Sequence, residues 1–213
     1  LLAYLLVMVV LAVPFAVLEI GAGCVTQGGV VSTLRRVRKP AALLGWAVVL
    51  LTLVIDSYYF VLSGWVLGYA GHATVGDVPA FEEFRAGWAS PVTLSLVALI
   101  VLGVLLKGVT ALERLSKLLV PLLLLIVIVL AGSALVGGDR ERALDFMFSV
   151  DPTRLADGTV WAAAFGQACY SLAIGQGYLV TYGSYLPRQA RVARSVAWVA
   201  VLNVAVALLV GLM

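Results

Sequence analysis

Two carboxylates stand inside long apolar runs, and they are the first residues that could do chemistry. Asp56 lies in the middle of a stretch that is otherwise uncharged from Ala41 to Gly71. Glu19 closes the apolar run that begins at Leu1. An acid at such a position is costly to bury, so it faces a pathway, a binding site or a polar partner. For Asp56 two readings stand: a functional carboxylate, or a buried acid that only hydrogen-bonds a neighbouring hydroxyl. Glu19 read alone is an interfacial carboxylate reaching water, the usual fate of an acid near a helix end; the alternative is that it holds the free amides of a broken helix. Tyr58 and Tyr59 follow Asp56 directly, and a buried phenol needs a hydrogen-bond partner. Gln167 and Ser171 are four apart and share a helix face, and Asn203 is the amide of the last apolar run. Amide and hydroxyl oxygens suit a hard cation, and their protons suit an anion. As isolated residues they also serve as glue between helices. His72 reads as a solvated loop residue, and Cys24 and Cys169 as buried free thiols. No metal-type His/Cys cluster, phosphate loop or nucleophile–base pair is present, which argues against an enzyme.

The elements that position these residues follow from composition. Of the 213 residues, 63% are hydrophobic and 12% charged, with mean hydropathy +1.10. Soluble domains are nearer about 45–50% and 25%. A soluble domain, a disordered chain and a disulfide scaffold are excluded, and an all-α polytopic membrane bundle remains. The net charge of +3 is spread among loops and is no nucleic-acid footprint. Six spanning segments are expected, at approximately 1–22, 41–71, 86–107, 116–138, 158–186 and 194–213, forming a single transmembrane domain. Segment two is long for a core of about 30 Å and must tilt or protrude. Segment five holds Gly175-Gln-Gly177 near its middle, where glycines weaken a helix by about 1 kcal/mol each. An unwound break over 171–177 and close packing through small residues are both consistent with that spacing.

Basic residues orient the segments. Arg35, Arg36, Arg38, Lys39, Lys107, Arg114, Lys117, Arg188, Arg191 and Arg194 fall on one side, and eight acids, including Asp77, Glu82, Glu83 and Asp139, on the other. The basic side is expected in the cytoplasm of a multi-pass plasma-membrane protein. Leu1 then lies outside, with no signal peptide. One absent upstream helix is the smallest solution, so the chain reads as a piece of a longer protein.

Residues 161–185, WAAAFGQACYSLAIGQGYLVTYGSY, resemble the sixth transmembrane helix of the neurotransmitter:sodium symporters. Four further pieces agree in order: Tyr4…Pro14…Glu19…Gly23 with helix two, 57–65 (SYYFVLSGW) with helix three, Lys107-Gly108…Leu112–Lys117…Pro121 with the loop into helix five, and Asn203 with 207–211 (ALLVG) with helix seven. The resemblance covers essentially the whole chain. It implies helices two to seven of the leucine-transporter-type inverted-repeat fold, and a sodium-coupled carrier of an amino acid or related small zwitterion. In the same family a betaine-like or amine solute, or a non-transporting relative, is the alternative.

The resemblance also assigns roles. Ile55, Tyr59, Tyr170, Ser171, Ala173 and Gln176 would line the substrate site, with Tyr59 on the substrate carboxylate and Tyr170 as the outer lid. Ser171 and Asn203 would contribute oxygens to a sodium site. Tyr4, Gln167, Ser171 and Asn203 match a chloride-type site. Glu19 would bind amides of the helix-six break, the opposite of its reading in isolation, and Tyr185 would belong to the inner gate. Two departures stand out. Ala207 replaces the Ser or Glu found in relatives, so helix seven offers no charge, and Asp56 occupies a position that is usually apolar. Asp56 is therefore expected to supply the compensating charge, and chloride dependence stays open. Gln176 in the pocket argues against a purely aliphatic substrate.

Overall fold

A computed structural model describes residues 1–76, 78–138, 140–149 and 152–211; Asp77, Asp139 and the end of segment six at Met213 lie outside them. All regular structure among the described residues is helical. Five helices are long and apolar enough to cross a membrane: Leu2–Thr26, Lys39–Val75, Ala89–Leu106, Val109–Gly137 and Val192–Gly211.

The first, α1, spans Leu2–Thr26. It is followed by α2 (Val30–Val37), α3 (Ala42–Val75), α4 (Phe81–Ala86), α5 (Ala89–Leu106), α6 (Val109–Gly137), α7 (Arg140–Phe148), α8 (Pro152–Leu155), α9 (Gly158–Ser171), α10 (Tyr178–Tyr185) and α11 (Val192–Gly211). Segment five, expected as one broken span, is the pair α9 and α10. Helix α6 starts at Val109 rather than near 116. Its charged first turns are helical and carry the Lys117–Glu113 pair at 2.7 Å, an i,i+4 spacing that supports an exposed helix. His72, expected in a loop, is inside α3, with its ring edge-on to Phe84 at 5.9 Å.

The chain divides into two compact units, Leu1–Leu51 with Leu123–Met213, and Thr52–Leu122. In the first, the core is built largely from small side chains: Ala3, Val7, Met8, Ala12 and Ala16 of α1 meet Ala164 and Ala168 of α9, Leu172 and Val196 of α11. Small residues let backbones approach where no water drives association. Helix α1 lies against α9 with its first half and against α10 and α11 with its second, so one continuous helix splints the two half-helices. Within α1, Met8–Ala12 forms a π-turn, with the Val13 N–H donating to the Met8 carbonyl. Pro14 follows. Its ring would strike the Val10 carbonyl in a regular ladder, and the wider turn relieves that clash.

The closest approach is between α1 and α10. A Cβ on Gly23 would run into the Val180 carbonyl and lie 3.0 Å from Ser184 N; one on Gly183 would run into the Ile20 carbonyl and lie 3.1 Å from Cys24 N. The small-residue reading of segment five therefore holds at Gly183, while Gly175 and Gly177 serve the break.

The second unit has an aromatic cluster at one end. Trp65 Nε1 donates to Ser90 Oγ at 2.9 Å and Tyr69 OH to the Pro79 carbonyl at 3.2 Å. Phe84 is buried against Tyr69 and against Gly68, where a Cβ would meet its ring.

Candidate functional site: the break between two half-helices

The α-ladder cannot cross residues 172–177. Ala173 (φ +54°), Gly175 (+80°) and Gly177 (+77°) all take left-handed conformations. For the glycines this is inexpensive; for Ala173 it is a strained state, of the kind held only where the surroundings demand it. The Leu172 N–H reaches the Ala168 carbonyl at 3.3 Å, that of Ala173 the Tyr170 carbonyl at 3.1 Å, and that of Ile174 the Cys169 carbonyl at 2.9 Å. These bonds close α9. The next amide, Gly175 N–H, leaves the ladder and donates to Glu19 Oε1 at 2.8 Å. Glu19 thus stands on the splint beside the break, with its carboxyl at the amino end of α10. Glu19 Oε2 is buried without a partner. A cavity of about 260 Å³ opens here, bordered by Glu19, Gly175, Gly177, Thr33 and Val48.

A second polar locus lies in the same unit. Asn203 Nδ2 of α11 donates to Tyr4 OH of α1 at 3.4 Å. Tyr4, Gln167 and Ala207 border a cavity of about 360 Å³. Of the four residues matched to a chloride-type site, Tyr4 and Gln167 border this cavity with Ala207, Asn203 reaches Tyr4 from α11, and Ser171 ends α9. Tyr170 is exposed at the end of α9 and Tyr185 at the end of α10, while Ala173 and Gln176 are half-buried in the break. Gln176 is not without a polar partner.

Ile55, Asp56 and Tyr59 belong to the other unit, on successive turns near the middle of α3. Ile55 and Asp56 are half-buried, and Asp56 too has a polar partner. Tyr59 is 38% exposed and Tyr58 61%, their rings edge-on at 5.9 Å.

One feature escapes sequence reasoning. Cys24, a buried free thiol as expected, donates to the Pro187 carbonyl at 3.3 Å. Gln27, left-handed at φ 50° as the cap of α1, donates to the Cys24 carbonyl at 2.7 Å and the Leu186 carbonyl at 2.9 Å. Together they tie the end of α1 to the chain leaving α10. The only signal was the Thr26-Gln27-Gly28-Gly29 helix ending.

Discontinuous helices whose half-helix ends face a site are a feature of ion-coupled carriers. The sodium:neurotransmitter symporter family matches residues 85–213. Over 99% of its length the chain is 27% identical to an uncharacterised sodium-dependent transporter of Methanocaldococcus jannaschii, covering 46% of that protein. A sodium-dependent transporter of Bacillus subtilis is 29% identical over 80% of the chain and 40% of its own length. The sodium-dependent dopamine transporter of Bos taurus is 27% identical over 85% of the chain and 33% of its own length. The chain belongs to the sodium:neurotransmitter symporter family and is a multi-pass membrane protein. It spans less than half the length of these relatives.

Proposed function

We propose that the full-length protein is a symporter that moves an amino acid or related small zwitterion across the plasma membrane with sodium, by alternating access, its basic loops cytoplasmic. No covalent chemistry is involved. The observation that carries the reading is the Glu19-capped break: the Gly175 amide leaves the helical ladder for a carboxyl on another helix, an interruption that a membrane tolerates only against a cavity or a protein partner. Ser171 and Asn203 would give oxygens to sodium. Ile55, Tyr59, Tyr170, Ser171, Ala173 and Gln176 would contact the solute, with Tyr185 at the inner gate. The sodium-dependent names of the relatives support the ion. Uptake of labelled amino acids into proteoliposomes of the full-length protein should require an inward sodium gradient; equal uptake with potassium in its place would overturn the reading.

Charge balance gives a second expected outcome. A carrier that returns empty needs a tolerable site charge after sodium leaves, and Ala207 and Asn203 supply none. Asp56 is the carboxylate at the middle of α3 and would carry the compensating charge. Removing chloride should leave wild-type uptake intact, and Asp56→Asn should abolish uptake or make it chloride-dependent. Chloride-requiring wild-type uptake together with a normal Asp56→Asn variant would assign the role to chloride at Tyr4, Gln167, Ser171 and Asn203 instead.

A further inference from the structure

The two oxygens of Glu19 have opposite surroundings. Oε1 accepts the Gly175 N–H at 2.8 Å. Oε2 is sealed from solvent, and among the described residues nothing donates to it. The cavity beside the carboxyl is walled mostly by apolar groups such as Ala22, Val48 and Val180. Its hydroxyl, Thr33, is already engaged with Thr26 Oγ1 at 2.7 Å and the Gly28 carbonyl at 3.0 Å. From α9 the titratable group that interacts electrostatically with Glu19 is the Cys169 thiol, which brings no positive charge. Arg35 and Arg36 of α2, Arg194 of α11 and Tyr182 and Tyr185 of α10 are exposed. The ion pairs formed among the described residues are Arg85–Glu82 and Lys117–Glu113, so no cation pairs with Glu19. A carboxylate with half its charge on an undonated, buried oxygen is far costlier than a neutral acid in the same place.

We propose that Glu19 is a proton-binding site. In the conformation described here a proton sits on Oε2, and the neutral acid still accepts the Gly175 N–H through Oε1. The O–H bond breaks when the adjacent cavity widens enough to hydrate Oε2; the proton passes to water and leaves a carboxylate held by the Gly175 amide and the amino end of α10. Proton binding at Glu19 therefore accompanies a change at the break itself. The site is built within one compact unit and does not depend on which solute or ion the full-length protein carries, so it stands or falls separately from the proposed symport.

Infrared spectroscopy of the full-length protein in liposomes at neutral pH tests this. A protonated-carboxyl carbonyl band, moved to lower frequency in deuterium oxide, is expected in the wild type. It should be lost in Glu19→Gln and kept in Asp56→Asn. If Glu19→Gln does not fold, Glu19→Asp in protein isotope-labelled at its glutamate carboxyls answers the same question, because the isotope-shifted band must vanish. A wild type without the band, or a band untouched by either Glu19 variant, overturns the proposal.

Discussion

Gly183→Ala in the full-length protein is expected to lower its melting temperature clearly, whereas Gly166→Ala, on the neighbouring half-helix, should leave it unchanged or slightly raised. Both replace a helical glycine, and in an open helical position the exchange gains about 0.5–1 kcal/mol. Their surroundings differ. Nothing lies within 4 Å of a Cβ on Gly166, but one on Gly183 runs into the Ile20 carbonyl. The obstacle is backbone, which cannot swing aside as a side chain does. Overpacking costs about 1–3 kcal/mol, and with Gly23 pressing on the Val180 carbonyl from the other side the upper end applies. Gly23→Ala should therefore match Gly183→Ala. Thermal melting followed by size-exclusion chromatography gives the comparison, and equal shifts for Gly166→Ala and Gly183→Ala would remove the argument.

Tyr59→Phe is expected to weaken solute binding by roughly ten- to 150-fold, with little change in folding. The proposal gives the Tyr59 hydroxyl to the solute carboxylate, and one hydrogen bond to a charged group contributes about 1.5–3 kcal/mol. Tyr58→Phe should be milder, since Tyr58 points its ring to a more exposed side of α3. Equilibrium binding of labelled solute to both full-length variants decides it: an unchanged affinity in Tyr59→Phe sinks the assignment.

The glycines at 175 and 177 announced trouble for a helix in the sequence, but not its nature. Their spacing fitted a break and a tight crossing equally well, because both need a missing Cβ. Packing separated the cases: positive φ at 175 and 177, close approach at 183. Ala173 was illegible, since alanine avoids the left-handed region and takes it here because the bonds that close α9 leave the chain turning there. The start of α6 was hidden by charge, as Glu113, Arg114 and Lys117 read as loop by hydropathy, whereas a helix protruding from a bilayer can carry them. The order of the candidate residues was readable throughout. Their proximity was not, because Tyr4 meets Asn203 across 199 residues of sequence and shares a cavity wall with Gln167.

The π-turn at Met8–Ala12 fixes an angular phase. Each residue of an α-helix advances the chain by about 100°, so the widened turn sets how the face bearing Tyr4 is rotated against the face bearing Glu19. The helix works as a key with two bits cut at a fixed angle, one toward Asn203 and one toward Gly175. A chain shortened by one residue between Pro14 and Glu19, where no wide turn can absorb the loss, would keep the first bit in its lock and swing the second by about 100° out of its own. Composition and hydropathy along α1 would scarcely change, yet the carboxyl would no longer meet the break.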